Sequence, residues 1–134
     1  MTPDDAMLLP VRAVAGFMAT LDDSLVADCF AGDVVIVENF APYVFRGDDA
    51  VARWRAGFRD HAATLDGLVV AFGAAQDFSS DGRTAYFVLP TTWRGRAGGE
   101  PFEEEGGWAF VLKKQDNRWR IACYAWAVTG MRRV

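Results

Sequence analysis

His61 is the only histidine in this chain of 134 residues. It is therefore the one side chain whose ordinary pKa lies near neutrality. It falls on a helical face with Trp54 and Phe58. There it serves as a proton carrier inside a pocket, or it ends the helix by bonding a carbonyl or water. No carboxylate at a telling spacing orients it. Asn39 closes the run VVIVEN, where its amide hydrogen-bonds a ligand's carbonyl or hydroxyl, or caps the corner before Pro42. Glu38 beside it is expected to face the other way and meet solvent or a partner. Tyr124 brings a hydroxyl into an apolar strand and could orient a ligand, with Trp126 on the same face near the mouth. Trp54 and Phe58 read as pocket wall, as core, or as both, because pockets are walled by apolar and aromatic groups. The sequence pairs Asp4-Asp5, Asp22-Asp23 and Asp48-Asp49 stand at helix starts, where capping explains them better than catalysis. No nucleophile elbow, phosphate loop or metal set is present, so no cofactor and no metal is expected. Cys29 and Cys123 lack metal spacing and read as buried free thiols.

The elements that must position these residues are legible from periodicity. Pro3–Asp22 reads as a helix that Pro10 interrupts or starts, with Val11, Val14, Phe17, Met18 and Leu21 on one face. Leu25–Phe30 reads as a short second helix. Val34–Phe40 and Tyr43–Arg46 are strands around an Ala41-Pro42 corner. Ala50–Leu65 is a third helix, and Leu68–Phe78 a strand with a bulge at Gly73. Arg83–Arg96 is the next strand, its middle demoted to a bulge or an edge by Pro90. Phe87, Leu89 and Thr91 share one of its faces. Glu103-Glu104-Glu105 reads as a solvated strand end, and Gly106-Gly107 as a bulge that bends the sheet. From Gly107 to Thr129 two long aromatic and β-branched runs flank Asp116-Asn117, which is a hairpin signal. Both faces of this hairpin are apolar, so both need covering. Helices early and strands late give an α+β fold: a strongly curved antiparallel sheet of about six strands on three helices.

Composition narrows the function. A net charge of −4 and a pI of about 4.9 argue against a nucleic-acid surface. No apolar run is long enough for a membrane span, and the acidic start lacks the basic region of a signal peptide, so a cytoplasmic single domain spanning 1–134 is expected. Aromatic residues make up 13% of the chain, which calls for an aromatic core or a lined cavity.

The phrases FAGDVVIVENFAPYVFRGDDAVARW and GGWAFVLKKQDNRWRIACYAW, with the order of elements, resemble the nuclear transport factor two-like superfamily, which includes SnoaL-like and ketosteroid isomerase-like proteins. The resemblance runs from about Val11 to Thr129. It implies a cone with a pocket between the concave sheet and the helices, and pairing of two copies through the outer sheet face. It also implies that Phe87, Leu89 and Thr91 lie on the concave face. Ketosteroid isomerase chemistry needs a carboxylate base, a tyrosine and a protonated carboxylic acid. By resemblance these positions fall on Asn39, on Phe17 and near Ala109, which lack the chemistry. The expectation is thus a small, mostly apolar ligand in an aromatic pocket that has lost the acid–base set. Any catalysis, of an isomerase, cyclase or dehydratase kind, rests on His61. The alternative is a non-catalytic dimeric interaction module whose pocket is packed shut.

Overall fold

The computed structural model describes residues 1–134. Helix α1 (Asp5–Thr20) starts where the Asp4 side chain accepts from the Met7 N–H at 2.9 Å, and Pro10 lies inside it rather than opening it. Its buried face holds Val11, Val14, Phe17 and Met18, as the periodicity marks, and Met7 besides, whereas Leu21 caps the helix and is exposed. The expected second helix is only a single 3-10 turn at Asp23–Val26, because Phe30 already belongs to a strand. The sheet therefore rests on two α-helices, not three. Strand β1 (Phe30–Val37) leads through a corner to β2 (Val44–Phe45). Helix α2 (Ala50–His61) ends four residues earlier than its apolar pattern suggests, since Leu65 opens the next strand.

The expected single strand at Leu68–Phe78 is two, β3 (Leu65–Phe72) and β4 (Gln76–Ser80), both paired with β5 (Thr84–Ala97). Pro90 sits on β5 where β3 gives way to β4, so the missing proline N–H leaves no ladder bond unmade. Strands β6 (Glu100–Gln115) and β7 (Arg118–Arg133) form the long hairpin. Its two-residue turn places Asp116 and Asn117 at positive φ, the geometry these residues tolerate. The sheet has seven strands in the order β2-β1-β7-β6-β5-β3, with β4 also on β5. It is mixed rather than wholly antiparallel, because β1 runs parallel to β7. The intervening chain returns β7 to the side of β1, a long-range pairing that local periodicity does not encode. A bulge falls between Glu105 and Gly106, as the glycine pair predicts.

The curved sheet closes on α1 and α2 as a cone. Phe17, Trp54, Phe87, Trp108, Phe110 and Tyr124 are all within 1% of full burial and fill it. No helix is long and apolar enough to cross a membrane.

Candidate functional site

The burial of β1 alternates through Val34 and Ile36, and Glu38, one residue past the strand, continues that inward parity at 5% exposed. Its main-chain N–H bonds the Tyr43 carbonyl at 2.9 Å across the corner, which holds the residue extended. The expectation that Glu38 faces solvent or a partner is therefore overturned. The reason is physical: VVIV is apolar on both faces, so no polar row marks which parity points inward.

The Glu38 carboxyl receives two neutral donors on one oxygen. Trp54 Nε1, from α2, lies 3.0 Å from Oε2, and the Tyr124 hydroxyl, from β7, lies 2.5 Å from the same atom. Oε1 accepts from no protein group, and Glu38 lines a cavity of about 250 Å³. Burial among rings pushes the carboxyl from 4.5 to about 7. The Tyr124 and Trp54 donors hold that rise back, and the charge of Glu104 adds to it. Trp54 is fixed in turn by Phe17, with ring centroids 5.1 Å apart, and edge-on by Phe30 at 5.3 Å. The tyrosine hydroxyl stays protonated, because burial and the adjacent carboxyl raise its pKa well above the ordinary value.

Glu104 is the second carboxyl of the cavity wall. It shares a cross-strand row with Trp93 and Met131. Burial raises its pKa and the Trp126 indole opposes that rise. Trp126 reaches there by lying over Gly106, where any Cβ would stand 2.5 Å from its Cη2 and against the Ala127 carbonyl. Glycine is required at that position by close approach, not by its backbone angle. His61, at the end of α2, stacks on Phe40 with centroids 4.8 Å apart and planes 20° apart. Burial lowers its pKa below 6.5, so the ring is neutral at pH 7, and no carboxylate pairs with it. Trp108 also walls the cavity, and its buried indole N–H has no hydrogen-bond partner.

Of the residues marked from sequence, Asn39, Phe58, His61 and Trp126 meet at the cavity wall. Phe17, Trp54 and Tyr124 stand one layer behind it, the last two on the Glu38 carboxyl. Phe87, Leu89 and Thr91 are buried on the core face of β5 but do not reach the wall. Trp93, further along the same face, does. Glu38, Glu104, Trp93 and Trp108 belong to the wall without having been expected there. A lone glutamate closing an apolar run before a proline corner is the one local signal that points to Glu38. The cavity wall thus carries two carboxyls, Glu38 and Glu104, although Asn39, Phe17 and Ala109 carry none.

A wider groove of about 680 Å³ lies between α1 and the β6–β7 turn. Its shifted group is Cys29, whose thiol burial pushes up to about 12, keeping it protonated and unreactive.

No protein-family model and no curated protein matches the sequence. Solved structures do match in fold. Hexachlorocyclohexane dehydrochlorinase LinA-type3 from Novosphingobium barchaimii superposes with a TM-score of 0.81 at 6% identity, over 96% of this chain and 88% of that one. A proposed ketosteroid isomerase from Shewanella frigidimarina gives 0.71 at 22% identity, over 92% and 96%. A proposed scytalone dehydratase from Novosphingobium aromaticivorans gives 0.71 at 14%, over 97% and 91%.

Proposed function

The chain has the nuclear transport factor two-like fold, and from that premise we propose that it binds a small, mostly apolar molecule and moves a proton on it with Glu38. The observation that carries this reading is a carboxyl poised near pH 7, with one oxygen tied by Trp54 and Tyr124 and the other left free at an aromatic wall. A base works best when its pKa lies near the working pH. In this reading Glu38 Oε1 takes a proton from a ligand carbon. The C–H electron pair moves to an adjacent carbonyl, or expels a leaving group, and the protonated carboxyl later returns or releases the proton. Neutral His61 and Asn39 then orient the ligand from the wall, and His61, expected as proton carrier, gives way in that role to Glu38. The names of the structural neighbours, a dehydrochlorinase, a proposed isomerase and a proposed dehydratase, describe reactions that a carboxylate base can carry.

The cavity also weighs against a pocket packed shut, which the interaction-module alternative requires. Pairing of two copies remains part of the proposal, because Val35, Val37, Val88, Ala109 and Ala125 leave a half-exposed apolar strip on the outer sheet face. Ala109→Arg at its centre should yield a monomer by sedimentation. The chemical test is deuterium uptake from D2O at the α-carbon of α-tetralone, read by mass spectrometry. Uptake at a rate that follows a single ionisation near pH 7 is expected. Uptake no faster than in buffer across a panel of such ketones would end the catalytic reading.

A further inference from the structure

Half of the sixteen carboxylates elsewhere on this protein sit beside a cation. Arg94 and Arg132 bracket Glu103, Arg96 clasps Asp66, Arg118 meets Asp28, Arg59 meets Asp23, and Arg53 meets Asp49. The cavity breaks this habit. It holds Glu38 and Glu104 and no lysine or arginine. The only nitrogen base on its wall, His61, is neutral at pH 7. A buried carboxylate without a counter-charge must take up a proton or find a cation. Glu38 is more than nine-tenths buried and keeps Oε1 free of protein donors. Around Glu104 the wall is built from aromatic rings: Trp93 beside it on β5, and Trp126 drawn over Gly106 from β7. Aromatic faces and carboxylates together attract an organic cation and repel an anion.

We propose that the ligand of this pocket is a small apolar amine bound as its ammonium ion, its charge met by Glu104 and Glu38 within the Trp93 and Trp126 rings. This inference rests on the ligand-binding reading above and adds the charge of the ligand to it. Binding such a cation competes with protons for the two carboxyls. The titratable groups facing the ammonium are Glu38 after β1, Glu104 on β6 and His61 on α2, with the un-ionised Tyr124 of β7 behind Glu38. As pH rises from 5.5 to 8 the Glu38 carboxyl gains charge and His61 loses what little it carries. The carboxyl's gain, much the larger change, favours the cation.

The experiment is calorimetric titration of the whole chain with three probes of one shape: benzylamine, benzyl alcohol and benzoate. At pH 8 benzylammonium should bind about tenfold or more tighter than benzyl alcohol, as a desolvated cation among rings and carboxylates warrants, and benzoate should not bind. At pH 5.5 the gap should narrow, as the protonated Glu38 carboxyl no longer attracts the ion. Glu104→Gln should reduce the preference at pH 8, and Glu104→Gln combined with Glu38→Gln should erase it. Benzyl alcohol binding as tightly as the amine, measurable benzoate binding, or a preference that survives the double variant would each overturn the ammonium assignment while leaving the ligand pocket standing. Binding of none of the three overturns the pocket reading, and this inference with it.

Discussion

Two glutamates of this protein are equally hidden and chemically opposite. Glu38 and Glu103 are each 5% exposed. Glu103 is covered by Arg94 and Arg132, whose side chains remain 64% and 67% exposed, and these partners hold its carboxyl below the ordinary value. Glu38 is covered by rings and receives only the neutral donors of Trp54 and Tyr124, and its carboxyl rises to about 7. The difference teaches that loss of accessible surface alone does not set a titration. How deeply the group is desolvated and the charge of what covers it do. Glu103 acts as a strap joining β5, β6 and β7. Glu38 is left where a proton can come and go.

The largest expected effect separates the two by rate. Glu38→Gln keeps the shape and both donors' space but removes the base. The deuterium uptake by α-tetralone should fall by about 10²–10⁴-fold, the usual worth of a positioned general base. Glu103→Gln should leave that rate unchanged. Equal losses in the two variants would mean that the strap, not the base, governs the reaction.

The second contrast is in stability against pH, where the signs oppose. A Glu38 carboxyl that titrates at 4.5 unfolded and about 7 folded favours the native state while protonated. Its contribution is full below pH 4.5 and is lost as pH rises through about 7, an effect of about 3 kcal/mol at most. Glu103, with its pKa lowered, contributes above the ordinary carboxylate range and loses that contribution as pH falls through its folded value. Melting curves of Glu38→Gln against the parent should therefore diverge between pH 4.5 and 7, and those of Glu103→Gln below pH 4.5. A Glu38→Gln curve parallel to the parent across the first window would place the Glu38 titration elsewhere.

Much of the fold is legible in the sequence because short-range patterns dictate it. The α1 face, the Asp116-Asn117 turn, the Gly106 bulge and the aromatic hairpin each follow from residues only a few positions apart. The site is legible only in part. Asn39, Phe58, His61 and Trp126 do share one cavity, as their placement on converging elements suggests. The base is hidden because a one-residue choice of parity in a doubly apolar strand turns Glu38 from outside to inside. Its partners lie 16 and 86 residues away in sequence, so no local pattern joins them. The parallel pairing of β1 with β7 is long-range in the same way.

A smaller effect tests the donors. Tyr124→Phe removes the hydroxyl that favours the ionised form of Glu38. The pH midpoint of deuterium uptake should move to higher pH, and the native state should lose about 1–3 kcal/mol at pH 8, as for a lost hydrogen bond to a buried charge. Trp54→Phe should act in the same direction. A midpoint that moves to lower pH would mean that Tyr124 supports the protonated carboxyl instead.

The smallest effect belongs to the strap itself. The two arginines on Glu103 stand mostly in water, where ion pairs are weak and screened. Glu103→Gln should lower the melting temperature at pH 7 by less than Tyr124→Phe does at pH 8, and about 1 M salt should remove most of the difference from the parent. The salt response is the sharper reading. A Glu38 whose partners are neutral donors inside a ring cage has little for dissolved ions to screen, so the melting of Glu38→Gln should keep its distance from the parent in the same salt. If salt erased both differences alike, the cage around Glu38 would be open to water, and its covering rings would not be what raises its carboxyl.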